Sequence, residues 1–253
     1  MVDSSEVHPA DVAVLACAEA FRGDGEIFAS GMGTIPLLGS RLARATFEPD
    51  LLVSDGIAFF VDGELPLGSQ NRQIEGWIPF RSVFDTLWGG RRHVIMGASQ
   101  IDGSGNTNIA NIGDWHRPKV QLLGMRGGPG NTINHAVSYW IPKQSQRVFV
   151  EAVDMVSGIG YDRAASLSPW VRQNHRIPRV VTNLAVLDFD NDDNRMQIQS
   201  VHPWSSVAEV VDATGFELVV PDEVPISRSP DTAELDALNR LDPKGVRHRE
   251  VSV

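Results

Sequence analysis

The stretch Met96-Gly-Ala-Ser-Gln-Ile-Asp-Gly-Ser-Gly-Asn106, with its counterpart Leu122-Leu-Gly-Met-Arg-Gly-Gly-Pro-Gly-Asn131, decides the fold prediction. Each is a glycine-rich loop at the end of a short apolar run, residues 94–96 in the first case and 120–123 in the second. Buried parallel strands show this pattern when their carboxyl ends carry a site. The sequence therefore predicts an α/β fold with an open mixed, largely parallel sheet and flanking helices, with function at these loops.

Length and composition indicate a globular protein with a large core. The 253 residues are 42% hydrophobic, and we expect one domain over residues 1–220 and an extended polar tail over residues 221–253. No apolar run approaches the roughly 20 residues of a membrane helix, and residues 2–6 are acidic where a signal peptide would be basic. These features predict a cytoplasmic protein. The formal net charge of -10 argues against nucleic acid or an anionic membrane as a partner.

Two predicted strands near the amino terminus end in candidate ligand groups. The first runs through Gly31 and Gly33 directly into a helix at residues 35–44, a geometry that presents free N–H groups to an anion. The same turn could serve only to pack the helix on the strand. The second strand ends at Ser54 and Asp55, which could contact a ligand or could form an Asp-Gly turn.

The loop at residues 124–131 is the region that favours function most strongly. It has four glycines in eight positions, so its backbone can approach a ligand closely and aim amides at a developing oxyanion. Arg126 is a cation within it that suits a carboxylate or a phosphate. Asparagines could bind a carboxylate or carbonyl nearby, although loop asparagines usually bond their own backbone. They are Asn106, Asn108, Asn111, Asn131 and Asn183.

Missing motifs exclude several enzyme classes. The seven histidines are scattered without the spacing of zinc or iron ligands, so we expect no metal. There is no Gly-x-Ser-x-Gly elbow, no phosphate-loop Gly-Lys-Ser/Thr and no complete dinucleotide fingerprint. The basic run Arg91-Arg92-His93 predicts a solvated strand entry. The one cysteine, Cys17, lies in an alanine-rich apolar stretch and is expected to be buried and unreactive.

A series of short motifs connects these segments over residues 8–220. In chain order they are Gly31-Met-Gly-Thr-Ile-Pro-Leu-Leu38, Arg41-Leu-Ala-Arg44, Pro49-Asp-Leu-Leu52, Gly97-Ala-Ser-Gln-Ile-Asp102, Gly105-Asn-Thr-Asn108, Gly127-Gly-Pro-Gly130, His202-Pro203 and Ala213-Thr-Gly-Phe-Glu-Leu218. Each is common alone, but the set resembles the β subunits of family I CoA-transferases of the glutaconate CoA-transferase type. More narrowly, it resembles the β subunits of the actinobacterial hydrolases that open the last steroid ring in cholesterol degradation.

The resemblance implies a CoA-transferase-like α/β domain that works with an α subunit in an α2β2 enzyme on an acyl-CoA substrate. It implies no cofactor beyond the CoA of the substrate. One departure matters, because transferases of this family place an attacking glutamate where this chain has Ser54, if Gly56 matches the family glycine. A register one residue later would place Asp55 there, with a side chain one methylene shorter. Either way, the resemblance argues against transferase activity.

The function implied is hydrolytic carbon–carbon cleavage of a cyclic β-keto acyl-CoA, with the catalytic carboxylate in the α subunit. This chain would supply Ser54 and the amides of Gly127, Gly128 and Gly130 to the reaction. Gly31, Gly33, Asp55, Arg126 and Asn131 would bind substrate. Two alternatives are a true CoA-transferase that uses Asp55 and a noncatalytic subunit that completes the fold of an active α subunit.

Overall fold

The computed structural model describes residues 7–251. Its helices and strands follow the chain as α1 (Pro9–Glu19), β1 (Phe28–Gly31), α2 (Thr34–Thr46), β2 (Val53–Ser54), β3 (Phe59–Asp62), β4 (Gln73–Trp77), α3 (Phe80–Leu87), β5 (Arg92–Met96), β6 (Gln100–Ile101), β7 (Thr107–Asn108), β8 (Asn111–Ile112), β9 (Val120–Gln121), α4 (Gly128–Asn134), β10 (Ala136–Ile141), α5 (Tyr161–Ala165), α6 (Pro169–Arg172), β11 (Val180–Thr182), β12 (Ala185–Asp188), β13 (Gln197–Val201), α7 (Val207–Asp212), α8 (Thr232–Leu241) and the 3₁₀ helix Val246–Arg249. They form two compact units, one from residues 7–96 and 228–251 and the other from residues 97–227.

The first unit is built on the parallel strands β1 and β5 and on two packed helices. Phe28 pairs with Arg92 and also forms a parallel bridge with Leu52. Gly39 of α2 allows the two helices to approach closely, since a Cβ there would lie 2.7 Å from the Cβ of Cys17 in α1. Burial raises the pKa of the Cys17 thiol well above its usual range, which agrees with an unreactive cysteine.

A small antiparallel sheet in the same unit carries the predicted site residues Ser54 and Asp55 at the end of its first strand. In this sheet β2 pairs with β3, and Ser54 lies opposite Phe60. Strand β3 then pairs with β4, and Phe59 lies opposite Trp77. The short strand β2 therefore belongs to a different ladder from β1 and β5, although Leu52 just before it bonds to β1.

The carboxyl-terminal segment differs from the predicted extended tail. Residues 228–251 belong to the first unit and include α8. This helix begins with a capping box of Asp231 and Glu234, and its Leu238 and Leu241 are buried. The buried Arg247 then binds Asp11 of α1 through Nε at 2.6 Å. Sequence pattern alone missed the helix, because a polar, proline-bearing segment with few apolar residues is also typical of an exposed tail.

The second unit contains four strands that run side by side. Strand β10 is parallel to β11, while β11, β12 and β13 pair antiparallel in turn. All six residues of β10 are buried. The predicted central strand at residues 120–123 is wrong, because β9 is exposed and pairs only with the short β8 among the described strands. The buried strand that follows the glycine-rich loop is β10, which begins after α4.

The observed architecture confirms the predicted α/β class with a mixed sheet. Apolar spacing in the sequence predicts helices near residues 8–22, 35–44, 82–88 and 206–214, and these are present as α1, α2, α3 and α7. The sequence after residue 176 also predicts three consecutive antiparallel strands, and these are β11, β12 and β13. No helix within residues 7–251 has both the length and the apolar character needed to cross a membrane.

Candidate active site

The turn between β1 and α2 is shaped by close packing. A Cβ on Gly31 would lie 2.2 Å from the carbonyl carbon of Pro36, so only glycine fits there. The N–H of Met32 donates to the carbonyl of Ile95 at 2.9 Å, which uses one of the predicted anion donors. Gly33 is exposed at the N-cap of α2, and Thr34 Oγ1 donates to a carboxylate oxygen of Glu250 at 3.0 Å. Packing explains Gly31, while the role of Gly33 in substrate binding stays a prediction.

Ser54 is half-buried at the end of β2. Its Oγ accepts a hydrogen bond from the N–H of Gly56 at 3.2 Å, which leaves the hydroxyl hydrogen able to donate elsewhere. Ser54 can therefore act as a neutral hydrogen-bond donor, and it has no charge with which to attack a thioester.

The carboxylate of Asp55 is committed to its own turn. Its Oδ1 accepts hydrogen bonds from the N–H groups of Ile57, Ala58 and Phe59 at 2.9, 3.0 and 3.1 Å. Its Oδ2 lies 3.2 Å from Nε of Arg72, an ion pair without the alignment of a hydrogen bond, and the side chain is only 4% exposed. These contacts give Asp55 a structural role in its own turn, and its role in substrate binding stays a prediction.

The electrostatics of Asp55 agree with this structural role. Burial acts to raise the pKa of its carboxyl, but the three backbone N–H groups and Arg72 outweigh burial and lower the pKa below its ordinary value. A carboxylate held in this way is a weak nucleophile, and its oxygens point at backbone amides. The alternative of a transferase that uses Asp55 loses its geometric support.

Two residues of the basic run, Arg92 and His93, are buried in β5, contrary to the predicted solvated entry, while Arg91 is exposed. Arg92 donates through Nε to Ser30 Oγ at 3.1 Å, and its guanidinium lies 5.5 Å from the ring of Phe28. Burial lowers the pKa of Arg92 to about 10, so the group stays charged at neutral pH. His93 is fully buried with Nδ1 2.6 Å from a carboxylate oxygen of Asp24. Sequence reasoning missed Arg92 as a cation beside the end of β1, because a basic run usually indicates a solvated surface.

The glycine-rich loop of the second unit turns sharply into α4. Arg126 is exposed and has a φ of 51°, a left-handed conformation that is unusual for a residue with a side chain. Gly128 is buried, and a Cβ there would lie 2.6 Å from the carbonyl oxygen of Ser157. The loop is therefore held against residue 157 at Gly128, while Arg126 extends toward solvent.

The backbone amides of this loop divide into used and unused donors. The N–H of Gly128 donates to the carbonyl of Met125 at 3.0 Å, so this amide is already bonded within the loop and its role as an oxyanion donor stays a prediction. Pro129 has no N–H group. The amides of Gly127 and Gly130 have no hydrogen-bond acceptor in the part of the chain that the structure describes. These two are the amides of the predicted set that can still bind an oxyanion.

Asn131 lies inside the protein, which differs from its predicted place at the substrate. Its side chain is buried, and its Oδ1 lies 3.3 Å from Nε2 of His135. The other ring nitrogen of His135 lies 2.9 Å from the carbonyl of Ala136. Asn131 therefore supports α4 from within the second unit.

Three of the remaining predicted asparagines, Asn106, Asn108 and Asn111, help to fix the loop at residues 97–111, while Asn183 accepts from the N–H of Gln144 at 2.8 Å. Asp102 Oδ1 accepts from the backbone N–H groups of Ser104 and Asn106, both at 3.0 Å. Asn106 accepts in turn from the N–H of Gly160 at 2.8 Å. Asn108 donates to the carbonyl of Asn111 at 2.7 Å. These asparagines satisfy their neighbours' backbone groups, as the structural interpretation of loop asparagines predicts.

A polar cavity that the sequence did not predict lies near α5 and α6. It has a volume of about 390 Å³, and its lining includes Arg172, His175 and Arg195. Nδ1 of His175 lies 2.6 Å from the carbonyl of Thr132 in α4, and burial lowers the pKa of this histidine. The cavity contains none of the predicted site residues. His175 connects this region to the helix that follows the glycine-rich loop.

Comparisons with known proteins agree with the motif pattern. No protein-family model matches the chain. The chain is 47% identical over 250 residues to the cholesterol ring-cleaving hydrolase IpdB subunit of Rhodococcus jostii, covering 98% of each sequence. The crystal structure of IpdAB from Rhodococcus jostii RHA1 matches with a TM-score of 0.93 at 47% identity, over 98% of this chain and 100% of that chain.

A more distant match shows the fold. The crystal structure of glutaconate coenzyme A-transferase from Acidaminococcus fermentans matches with a TM-score of 0.76 at 22% identity, over 97% of this chain and 99% of that chain. The predicted CoA-transferase-like fold is therefore confirmed. The level of identity to the hydrolase subunit, over nearly the whole of both sequences, is that of one family. The chain belongs to the family of cholesterol ring-cleaving hydrolase IpdB subunits.

Proposed function

We propose that this chain is the β subunit of a heteromeric hydrolase that opens the ring of a cyclic β-keto acyl-CoA in cholesterol catabolism. Membership in the IpdB family supports the reaction class, and the match to IpdAB supports an α-type partner subunit. The proposed enzyme works in the cytoplasm, as the sequence predicts, and uses no cofactor beyond the CoA of its substrate.

The observation that carries the proposal is the chemistry at the end of β2. The residue in the place of the transferase glutamate is the neutral Ser54, and the adjacent Asp55 is held by three backbone N–H groups and Arg72. No free carboxylate is therefore available there to form an acyl intermediate. Water is the nucleophile that remains, and we infer that its base is a carboxylate of the partner subunit.

The proposed reaction balances without a protein nucleophile. The oxygen of water adds to the ring ketone carbon while the base takes a proton. The bond between that carbon and the carbon α to the thioester then breaks, and its electron pair becomes an enolate delocalised by the thioester carbonyl. Protonation of the α carbon yields a free carboxylate and a ring-opened acyl-CoA. The step requires a base and oxyanion donors.

This chain contributes groups of two kinds to the proposed reaction. The hydroxyl of Ser54 and the amides of Gly127 and Gly130 are neutral donors suited to a developing oxyanion. The exposed guanidinium of Arg126 suits a free carboxylate on the substrate. Gly33 stays in the proposal as an exposed amide at the start of α2.

The test uses the complex of this chain with its partner subunit. With a cyclic β-keto acyl-CoA in water labelled with oxygen-18, we expect ring opening with one labelled oxygen in the new carboxylate. Faster transfer of CoA to acetate or succinate than ring hydrolysis would overturn the proposal. Substituting Ser54 and Arg126 singly separates a catalytic from a scaffold subunit, because unchanged kcat/KM of both assembled variants would favour the scaffold.

A further inference from the structure

Exposed aromatic side chains are concentrated on α3 and the end of β4. Trp77, Phe80, Phe84 and Trp88 are 72%, 74%, 48% and 71% exposed, and together they are named the aromatic face. Phe80, Phe84 and Trp88 are spaced four residues apart, which places them along one side of a helix. The rings of Phe80 and Phe84 touch, with centroids 5.3 Å apart in an edge-to-face arrangement.

Helix α3 has little to hold it within this chain. It is eight residues long, and none of its described side chains is buried. A helix shorter than about 12 residues is marginal in water without tertiary packing of an apolar side. Among the described side chains of α3, Phe80 and Phe84 face outward, so packing against another chain would add to the stability of this helix.

The size and chemistry of the aromatic face fit a protein partner. Buried aromatic side chains each remove about 150–250 Å² from water, so the uncovered parts of these four amount to roughly 500 Å². That is more than half of the roughly 800 Å² that each partner contributes to a standard protein interface. Tryptophan and phenylalanine are also enriched at the centres of such interfaces.

The position of the aromatic face identifies the partner. Trp77 pairs with Phe59 on the small sheet whose first strand ends at Ser54. The base of the proposed reaction is absent from the end of that strand, so the chain that brings it has to approach this sheet. We propose that the aromatic face is the docking surface for the α-type partner subunit. The similar crystal structure is named IpdAB, after two subunits. The identity of the partner rests on the proposed function.

The experiment measures assembly of the full-length chain with its partner subunit. Phe84→Glu and Trp88→Glu are compared with Phe84→Leu, which keeps an apolar group at the same position. We expect the two glutamate variants to recover at least tenfold less complex in co-purification and to sediment as the separate chain. Phe84→Leu should assemble within about twofold of the parent. Circular dichroism of the separate chain should be unchanged, because the substituted side chains are exposed.

A charge control completes the design. Trp170 on α6 is 78% exposed, and Trp170→Glu adds the same charge on a different surface. We expect it to assemble normally. Normal assembly of Phe84→Glu and Trp88→Glu would overturn the docking assignment, and so would an equal loss of complex with Trp170→Glu. A loss of association between copies of this chain, with binding of the partner subunit unchanged, would also overturn it. A complex that assembles but hydrolyses no ring thioester would contradict the proposed function and leave the docking surface in place.

Discussion

The turn after β2 and the loop before α4 use their polar groups in opposite ways. In the turn, the charge of Asp55 serves the backbone, because three N–H groups and Arg72 surround its carboxylate. In the loop, the backbone of Gly127 and Gly130 has donors without acceptors in the described part of the chain, and the charge of Arg126 is exposed. Each segment therefore has one charged residue, but only the loop offers its charge and its backbone donors to a ligand.

The largest expected effect comes from placing a carboxylate in the turn where none is free. Ser54→Glu should lower ring hydrolysis by the assembled complex on the order of a thousandfold, because a charged group would replace a neutral donor beside a developing oxyanion. Steady-state hydrolysis of the cyclic β-keto acyl-CoA measures this loss. Mass spectrometry of the same variant should also detect an acylated Glu at position 54.

The matched control is Ser54→Ala, which removes the hydroxyl and adds no charge. We expect it to lower hydrolysis by about a hundredfold, as for loss of one oxyanion donor. A Ser54→Ala variant as inactive as Ser54→Glu would mean that the hydroxyl itself is essential. A covalent acyl adduct on the parent chain during turnover would contradict the role assigned to water.

The second prediction concerns the structural charge of the turn. Asp55→Ala should lower the free energy of unfolding by about 3 kcal/mol at neutral pH, because three backbone N–H groups lose a charged acceptor. Chemical denaturation of the separate chain measures this difference. The folded-state pKa of Asp55 is lowered, so its stabilisation is present above the unfolded pKa near 3.8 and is lost as pH falls through the lower folded value.

The pH dependence gives this prediction its own control. The stability difference between the parent and Asp55→Ala should be constant near neutral pH and should shrink below about pH 4, since protonation removes the same charge from the parent. Turnover per assembled complex should change little once the variant is folded. A variant of full stability that loses turnover would instead place Asp55 at the substrate.

The third prediction compares two glycines of the loop. Gly128→Ala should lower the free energy of unfolding by about 2 kcal/mol, because its Cβ would lie 2.6 Å from the carbonyl of Ser157. Gly130→Ala should be neutral or slightly stabilising, since its Cβ meets nothing within 4 Å and alanine favours a helix. Thermal unfolding of both variants measures the contrast. Equal destabilisation by the two substitutions would contradict the packing of Gly128 against Ser157.

Sequence patterns predicted the elements whose signal is local. Strand, glycine turn and helix are adjacent at Gly31 and Gly33, and three antiparallel strands follow residue 176 in order. The sequence could not show that the run at residues 120–123 is exposed, because apolar residues at an edge look the same as those in a core. It also could not show the burial of Arg92 or the packing of α8, since both depend on contacts between distant segments.

The candidate site was predicted in part, and the errors share a cause. Residue types identified Ser54, Arg126 and the glycines of the loop as chemically suitable. Whether a suitable group is free depends on its hydrogen-bond partners, and those partners are fixed by turn geometry. Oδ1 of Asp55 and the amide of Gly128 are both bonded to backbone groups nearby in the chain, which composition does not reveal. Asn131 is buried against His135 for the same reason.

The smallest effect on stability, and the sharpest test of the loop, is expected at Arg126. Its left-handed φ of 51° is a conformation that glycine adopts freely, so Arg126→Gly should raise the free energy of unfolding by roughly 0.5 kcal/mol. The same substitution removes the exposed cation that the proposal assigns to a substrate carboxylate. We therefore expect KM for a substrate with a free carboxylate to rise at least tenfold while kcat changes little.

A higher free energy of unfolding together with weaker substrate binding would separate backbone strain from function at Arg126. Arg126→Lys supplies the control, because it keeps a positive charge but loses the bidentate geometry, and its KM should lie between those of the parent and Arg126→Gly. A substrate analogue without the carboxylate should show the same KM with all three proteins. If Arg126→Gly is more stable and its KM is unchanged, the exposed cation has no part in binding, and the unused donors of the loop would be limited to the amides of Gly127 and Gly130.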